Sequence, residues 1–455
     1  MLELFIGLVV TAVVGYFIIK DYRPAGVLLT AGIVLLLIAG LLGKDLLPDK
    51  VVSTGNFVTD ALEYVKYTLC YRGGGLGMQI MLLCGFAAYM THIDANNMVV
   101  KQFSKPLKAI KSPYILLVAA YIVACLMSLA VSSATGLGVL LMATLFPMMT
   151  AMGISRPAAV AICASPAAII LSPTSGDVIL AAEKSGLPLD VFAVQTVLPV
   201  SLSAIATMAV AAFFWNKYLD KKHNTPMERV DISRIEAKAP TFYCVLPFLP
   251  IVGVFLFNGR TIPGLELDIY TIVVLSIAIS GLVDFAVNRF DGRKTLENME
   301  SCYQGMAEAF KGVVMLLVAA GTFAQGLMAI GAIDTLLSLA DAAGAGGFAL
   351  MLLLAGLTVA AAIATGSGNA PFYAFVELAP ALAMKMGLRP AFLIIPMLQA
   401  SNLGRTMSPV SGVVVATSGM ASISPLEVVK RTSVPVTVGL ATVIVGTLIL
   451  VPMMA

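Results

Sequence analysis

Charged residues are scarce in this sequence and unevenly distributed. Asp, Glu, Lys and Arg make up 12% of its 455 residues, whereas an ordinary soluble domain carries roughly a quarter. Residues 112–155, 342–376 and 406–426 contain none of them. A helix needs roughly 20 apolar residues to cross the hydrocarbon core of a bilayer. Several runs of this length therefore predict a protein that crosses the membrane many times.

Histidine and paired cysteine, the residues of metal and disulfide sites, are also rare. His92 and His223 lie far apart, and the six cysteines form no Cys-x-x-Cys pair. There is no His-Glu-x-x-His motif and no glycine-rich phosphate loop followed by lysine. These absences argue against a metalloprotease, a disulfide framework and an ATP-driven pump. The net charge of +3 makes nucleic acid an unexpected partner. We predict no cofactor, no metal site and no enzymatic activity.

Long apolar segments predict an all-α polytopic membrane protein with about ten spanning helices. Lys and Arg accumulate on the cytoplasmic side of membranes, so five basic clusters, the largest within residues 217–238, orient the chain. The spans are predicted at residues 3–19, 25–42, 76–92, 156–184 (broken), 190–216, 241–257, 269–287, 304–326, 390–420 (broken) and 432–454.

Two stretches do not fit as single spans. The neutral run 112–155 is too long for one helix, and its middle reads SSATGLG, which resembles a turn. Residues 346–385 repeat the pattern around TGSGN. We interpret each as a re-entrant helical hairpin, because its small uncharged tip suits burial in protein. The alternative is two full spans joined by a short loop, and charge bias does not decide between them.

The sequence also resembles itself at a nearly constant offset of about 230–237 residues. The tetrapeptide TGLG at 135–138 matches TGSG at 365–368, SPTSG at 172–176 matches SPVSG at 408–412, and TVLP at 196–199 matches TSVP at 432–435. An odd number of crossings separates equivalent points, so the second copy is predicted to be inverted. Gene duplication explains the similarity, but not why the matched segments are the Gly-, Ser- and Pro-rich ones. We predict a first inverted repeat at 1–216, a cytoplasmic linker at 217–240 and a second inverted repeat at 241–455.

Inverted repeats with interrupted helices are the sequence mark of a secondary transporter, and the interruptions mark its site. Proline removes a backbone donor and glycine permits unusual dihedral angles, so both motifs break their helices. A broken helix exposes free N–H groups, which attract carboxylates, and free C=O groups, which can hold a cation such as Na⁺. Two hairpin tips and two breaks are therefore expected to converge on one polar pocket.

Arg405 is the most informative single residue, because it is a lone charge in a break at bilayer depth. Its planar fork suits a substrate carboxylate. Two alternatives are an internal ion pair with Asp177 and a water-exposed position. Asp177 and Glu377 are candidates for ion coupling, with a structural role at a helix end as the alternative for each.

At these motifs the chain resembles the anaerobic C4-dicarboxylate transporters of the DcuC family, within the ion transporter superfamily. The stretches that carry the resemblance are CLMSLAVSSATGLGVLLMATLFP, ICASPAAIILSPTSGDV, TGSGNAPFYAFVE and PMLQASNLGRTMSPVSGVVVA. It implies exchange or export of dicarboxylates such as succinate and fumarate across the bacterial inner membrane during anaerobic growth. It also implies an elevator motion, coupling to H⁺ or Na⁺, and a homodimer.

The interpretation is therefore a secondary transporter of C4-dicarboxylates, with a transporter of another small organic anion (a monocarboxylate or an amino-acid conjugate) as the alternative. A membrane-embedded enzyme and a passive channel are further competing classes. The expected ion-coupling residues are Ser172, Thr174, Asp177 and Glu377. The expected substrate-binding residues are Ser132, Ser133, Thr135, Gly136, Ser367, Gly368, Asn369, Ser401, Asn402, Arg405 and Ser408.

Overall fold

The chain is built from helices arranged in two similar series. The computed structural model describes residues 2–20, 22–48, 51–110, 112–131, 133–223, 239–259, 261–332, 335 and 346–454. These residues contain two isolated bridges and no longer β-strand. Eight helices in the described ranges are long and apolar enough to cross a membrane. The predicted all-α polytopic fold is confirmed.

The first series runs from the N-terminal region to His223. Two of its long helices contain a π-turn, at Gly73–Gly77 and at Phe192–Val197. Between these π-turns, short 3₁₀ turns lie at Lys105–Ala109 and Pro166–Ala168. The α-helices are Leu2–Ile19, Pro24–Leu41, Phe57–Arg72, Met78–His92, Ala95–Phe103, Pro113–Met127, Ala134–Ala151, Arg156–Ala164, Gly176–Ser185, Leu189–Val191 and Leu198–His223.

The second series repeats this order from residue 241 onward. It opens with a 3₁₀ segment, Thr241–Phe248, and its long helix Gly292–Ala329 also contains a π-turn, at Phe310–Val314. The α-helices are Leu249–Leu256, Ile269–Val287, Gly292–Ala309, Met315–Ala329, Gly347–Thr365, Asn369–Val376, Ala379–Lys385, Pro390–Thr406, Gly412–Met420 and Pro425–Leu450.

Four of these pieces recur in the description of the site and are named here. Hairpin 1 is Pro113–Met127 with Ala134–Ala151, and hairpin 2 is Gly347–Thr365 with the two short helices at 369–385. Broken helix 1 is Arg156–Ala164 with Gly176–Ser185, and broken helix 2 is Pro390–Thr406 with Gly412–Met420.

Equivalent long helices of the two series pack against each other in opposite directions. A Cβ atom on Gly77 would lie 2.9 Å from Val314, and one on Gly85 would lie 2.7 Å from the Cys302 carbonyl. Moving up one helix therefore means moving down the other, so Phe57–His92 and Gly292–Ala329 are antiparallel. Glycine at these contacts lets the two backbones approach closely. This packing supports the inverted-repeat interpretation and its domain boundaries, which remain predictions.

Two long helices begin earlier than the sequence predicts. The expected spans at 76–92 and 304–326 are the second parts of Phe57–His92 and Gly292–Ala329. Their first parts carry charges, such as Asp60 and Arg72, that hid them from a search for neutral runs. Asn56 and Asp291 begin the two helices, since each side chain accepts a hydrogen bond from a first-turn N–H.

The matched tetrapeptides at 135–138 and 365–368 do not occupy equivalent places. Thr135 is the second residue of the helix after the tip of hairpin 1, whereas Thr365 is the last residue of the helix before the tip of hairpin 2. The equivalent residues are Ser133 and Ser367, because each hydroxyl accepts a hydrogen bond from the N–H three residues later, at 3.1 and 3.2 Å. That part of the predicted alignment was wrong by four residues.

Candidate functional site

A cavity of about 140 Å³ lies where both hairpin tips meet both broken helices. Roughly 10–15 Å³ of space admits one water, so the cavity has room for a small organic anion. Its polar or charged lining side chains come from hairpin 1, hairpin 2 and both broken helices. They are Ser128, Ser172, Thr174, Ser175, Asp177, Asn369, Tyr373, Asn402 and Arg405.

Three helices begin at the wall of this cavity. Ala134, Gly176 and Asn369 are the first residues of their helices, and all three line the cavity. The first N–H groups of a helix have no intrahelical partner, and the helix dipole places partial positive charge there. The arrangement therefore favours an anion from three directions.

The two tip serines support these helix starts. Ser133 Oγ accepts a hydrogen bond from the Gly136 amide, and Ser367 Oγ accepts one from the Ala370 amide. Neither serine lies in the cavity wall, and Ser133 is exposed. Both were predicted as substrate ligands, and the geometry gives them a capping contact instead. Ser132 lies outside the described residues.

Arg405 reaches the cavity from the last turn of Pro390–Thr406 and is half-buried. Its Nη2 donates to the Ala167 carbonyl at 2.7 Å. The Nε group is buried and has no hydrogen-bond partner among the described residues. Among the described residues, no carboxylate lies within ion-pair distance of Arg405. The guanidinium is thus anchored at one nitrogen to the 3₁₀ turn in the break of broken helix 1, and an N–H donor remains without a protein partner among the described residues.

Asp177 is a buried carboxylate that also lines the cavity, in the first turn of Gly176–Ser185. Asn402 Nδ2 lies 3.4 Å from its Oδ2, and the Tyr373 hydroxyl lies beside it. The ion pair of Asp177 with Arg405, which was one alternative for Arg405, is not formed at ion-pair distance among the described residues. The hydrogen-bond partners of Asp177 at the site are thus an amide and a phenol.

The tip of hairpin 2 lies directly against broken helix 2. A Cβ atom on Gly368 would lie 2.7 Å from Asn402 Oδ1 and 3.3 Å from Arg405 Nη1. Asn402 Oδ1 is buried without a hydrogen-bond partner in the described structure. Glycine at 368 is thus the residue that lets the hairpin tip touch the side chains of the site. Thr135 Oγ1 of hairpin 1 is similarly 3.3 Å from the Cβ position of Gly412.

The wall formed by broken helix 1 comes mainly from its break, between the 3₁₀ turn Pro166–Ala168 and the helix Gly176–Ser185. Ser172 Oγ and Thr174 Oγ1 are 3.0 Å apart and face the cavity, as the prediction of polar groups at this break requires. The backbone of Ile170 is held by the side chain of Gln399, which accepts from its N–H at 2.9 Å and donates to its C=O at 3.1 Å. Sequence reasoning passed over Gln399, although it is a rare amide in a buried apolar helix.

Several predicted residues lie away from the cavity wall. Ser401 is fully buried and donates to the Leu398 carbonyl, and Ser408 is buried in the second break. Glu377 is bonded to both Arg72 and Lys184, with a 2.8 Å contact to Lys184 Nζ. Ionic partners that no pattern linked to Glu377 thus occupy this carboxylate.

Tyr373 and Arg72 are the other residues that sequence reasoning missed. Tyr373 of hairpin 2 is almost fully buried beside Asp177, and its only signal was its place in the segment TGSGNAPFYAFVE. Arg72 lies at the π-turn of Phe57–His92 and meets Glu377 across 305 residues of sequence. No local pattern predicts such a distant partner.

Comparison with known proteins identifies the family. The family model of the C4-dicarboxylate anaerobic carriers, DcuC, matches residues 2–452. The chain belongs to this family. It is 78% identical over 455 residues to the probable anaerobic C4-dicarboxylate transporter DcuC of Vibrio cholerae, covering 100% of this chain and 99% of that protein. It is 60% identical over 451 residues to the anaerobic C4-dicarboxylate transporter DcuC of Escherichia coli K12, covering 99% and 97%.

Two solved structures share the fold. The YdaH transporter of Alcanivorax borkumensis superposes with a TM-score of 0.62 at 14% identity, over 94% of this chain and 98% of that one. MtrF of Neisseria gonorrhoeae superposes with a TM-score of 0.64 at 14% identity, over 94% and 95%. This DcuC-family chain is therefore a multi-pass transporter of the bacterial inner membrane and not an enzyme.

Proposed function

We propose that this chain binds one C4-dicarboxylate in the cavity between the hairpin tips and exchanges it across the inner membrane. The observation that carries the proposal is the convergence of three helix N-termini and the Arg405 guanidinium on one small cavity. Such donors stabilise negative charge from several sides. The names of the DcuC relatives supply the same substrate class.

A dicarboxylate carries two charged ends, and the cavity offers two kinds of donor. We infer that Arg405 binds one carboxylate, because its planar fork forms strong charge-assisted hydrogen bonds. The helix starts at Ala134 and Gly176 would hold the other carboxylate through backbone N–H groups. A monocarboxylate would leave one of these donor sets desolvated and unpaired, which costs affinity.

Asp177 is the residue best placed to couple an ion to transport. Among the described residues it is the carboxylate that lines the cavity, whereas Glu377 is neutralised by Arg72 and Lys184. Binding of H⁺ or Na⁺ at Asp177, with the Ser172 and Thr174 hydroxyls nearby, would offset the charge of the entering anion. An Asp177→Asn variant should lose the dependence of transport on whichever ion is coupled.

Helix packing supports an elevator-type motion. Pro24–Leu41, Phe57–His92 and Gly292–Ala329 pack mainly on one another. The hairpins and broken helices pack among themselves and on Leu198–His223 and Pro425–Leu450. Two groups of helices joined by fewer contacts can slide past each other and carry the cavity across the bilayer.

Counterflow in proteoliposomes tests the function. Vesicles loaded with unlabelled succinate should accumulate labelled fumarate, and succinate, fumarate and malate should compete, with Na⁺ and pH varied independently. Stronger competition by a monocarboxylate or an amino-acid conjugate would favour the alternative substrate class. Flux that does not saturate and is not stimulated by internal substrate would indicate a channel.

A further inference from the structure

Gln399 connects three parts of the chain next to the cavity. They are its own helix Pro390–Thr406, the break in broken helix 1 and the helix Leu198–His223. Gln399 is fully buried in Pro390–Thr406. Its Oε1 accepts from the Ile170 N–H at 2.9 Å, and its Nε2 donates to the Ile170 carbonyl at 3.1 Å and lies 3.0 Å from Ser201 Oγ. Ser201, on Leu198–His223, also donates to the Ile170 carbonyl, at 3.1 Å. The Gln399 amide thus pairs with Ile170 as a neighbouring β-strand would.

This pairing satisfies backbone that has left its helix. Residues 165–175 separate the two segments of broken helix 1, so their N–H and C=O groups lack regular helical partners. Unsatisfied backbone groups inside a membrane protein are costly. A primary amide is the side chain that supplies one donor and one acceptor in the required arrangement.

The same helix contacts the unwound segment a second time, at the site itself. Arg405 Nη2 donates to the Ala167 carbonyl at 2.7 Å. Ala167 and Ile170 both line the cavity. Two contacts from one rigid helix therefore fix the position of the cavity wall relative to the guanidinium that faces the ligand.

We propose that Gln399 is a positioning residue that sets the affinity for the transported anion by holding the 167–172 wall at a fixed distance from Arg405. This inference rests on the proposed function, since the wall and Arg405 are taken as the two sides of the dicarboxylate site. Gln399 does not line the cavity and acts through Ile170.

Substitution of Gln399 by glutamate separates the contact with Ile170 from a general effect on folding, because only the contact depends on the protonation of the new carboxyl. A protonated carboxyl keeps one acceptor and one O–H donor and can still pair with both groups of Ile170. A carboxylate has no donor and faces the Ile170 carbonyl. The variant is therefore assayed at an acidic and at an alkaline pH, because the protonated and the ionised carboxyl differ in whether they can donate to the Ile170 carbonyl.

The readout is the ratio of variant to wild-type KM for labelled succinate in proteoliposomes, taken at each pH because substrate protonation affects both proteins alike. For Gln399→Glu this ratio should be near one at the acidic end and at least about tenfold at the alkaline end, with maximal velocity within about threefold, the scale of one lost hydrogen bond. Gln399→Met, which can pair with neither group of Ile170, is measured beside it, and a KM within about threefold of the wild type for that variant would overturn the proposal.

The chain offers a control in a second amide of a long helix, which is half-buried. Gln325 Nε2 donates to the Leu46 carbonyl at 3.0 Å, away from the cavity. Gln325→Glu should follow the wild-type pH profile. Ser201→Ala keeps both Gln399–Ile170 hydrogen bonds and should change KM by no more than about threefold. If Gln399→Glu does not fold, Gln399→Met carries the test alone, and its KM should be raised at least about tenfold at every pH; a wild-type KM would contradict the proposal.

Hydrogen–deuterium exchange separates this inference from the proposed function. Peptides covering residues 165–175 of substrate-free Gln399→Glu should exchange faster as the pH rises, relative to the same peptides of the wild type at each pH. Failure of the wild type to transport any dicarboxylate would remove the proposed function and, with it, the affinity role. Faster exchange with an unchanged KM would overturn only the affinity role, and unchanged exchange would overturn the contact itself.

Discussion

The two broken helices differ in which part of the chain they bring to the cavity. Broken helix 1 has a first segment of nine residues, followed by a long break at 165–175 that holds one 3₁₀ turn. Broken helix 2 has a first segment of 17 residues and a short break at 407–411. The first therefore contributes main-chain groups together with the side chains of its break and of Asp177, whereas the second contributes the side chains of Asn402 and Arg405 from an intact helical turn. A duplicated motif has produced two unlike halves of one site.

A few residues account for this difference. With the motifs SPTSG and SPVSG aligned, Asn402 corresponds to Pro166 and Arg405 to Ile169. Proline lacks an N–H group and clashes with the preceding turn, so broken helix 1 ends at Ala164. Asparagine at the equivalent place lets broken helix 2 continue to Thr406. The longer helix then holds Gln399, Asn402 and Arg405 on adjacent turns.

Arg405→Ala is the change that should disturb this comparison most. It removes the cation of broken helix 2 and the bond to Ala167, so transport should fall at least about 100-fold, a loss of about 3 kcal/mol of binding or more. Arg405→Lys should recover only part, because lysine has no fork for two partners. Counterflow of labelled succinate measures both.

A matched control lies at the start of the same helix. Arg389 begins Pro390–Thr406, and its Nε donates to the Met454 carbonyl at an exposed position. Arg389→Ala should insert into the membrane, elute from a size-exclusion column and transport succinate as the wild type does. Full transport by Arg405→Ala would remove the proposed carboxylate contact.

Glu377→Gln tests an ionic contact between the two halves, in which Glu377 of the second series meets Arg72 and Lys184 of the first. With Ser133 aligned to Ser367, the equivalent position in hairpin 1 is Ala143, which is buried and uncharged. Without the carboxylate, Arg72 and Lys184 would face each other as unpaired, poorly exposed cations. The free energy of unfolding should fall by about 2 kcal/mol, seen as a lower melting temperature of the purified protein.

The double variant Arg72→Gln with Glu377→Gln is the control for that loss. It removes the unpaired guanidinium together with its partner, so its melting temperature should lie between those of Glu377→Gln and the wild type. Equal melting temperatures for the single variant and the wild type would mean that solvent already screens the pair.

Gly368→Ala tests the close contact between hairpin 2 and broken helix 2. The added methyl group would lie 2.7 Å from Asn402 Oδ1, so the hairpin tip must shift and transport should drop about tenfold. Gly356→Ala in the same hairpin meets no atom within 4 Å and should leave transport unchanged. Equal rates for the two variants would show that the tip is loosely held.

Ser133→Ala and Ser367→Ala should have the smallest effects, and these should be similar. Each removes one helix-capping hydrogen bond at a tip, worth about 1 kcal/mol, so KM should rise a few-fold in both. Asparagine also caps helices, and Ser133→Asn and Ser367→Asn should restore most of the affinity. A loss beyond about 30-fold that asparagine does not repair would indicate direct contact with the substrate.

The sequence predicted which segments form the site, but it did not predict which residues contact one another there. Gly, Ser and Pro motifs marked both breaks and both tips, because chain interruptions have a local cause. Arg405 stood out as a lone charge and does line the cavity. The role of Gln399 could not be predicted, because its partner is the backbone of Ile170. The ionic contact between Arg72 and Glu377 joins residues 305 positions apart, which only the folded chain reveals.

The π-turns at Gly73–Gly77 and Phe310–Val314 have a consequence for how the two long helices meet their neighbours. One extra residue in a helix rotates everything beyond it by about 100° about the axis. Each long helix therefore packs one face against its neighbours before the π-turn and a different face after it. Phe57–Arg72 can rest on Met315–Ala329 while Met78–His92 rests on Gly292–Ala309. A continuous α-helix without a π-turn would pack the same face against one partner along its whole length. The packing face would then not change near the cavity.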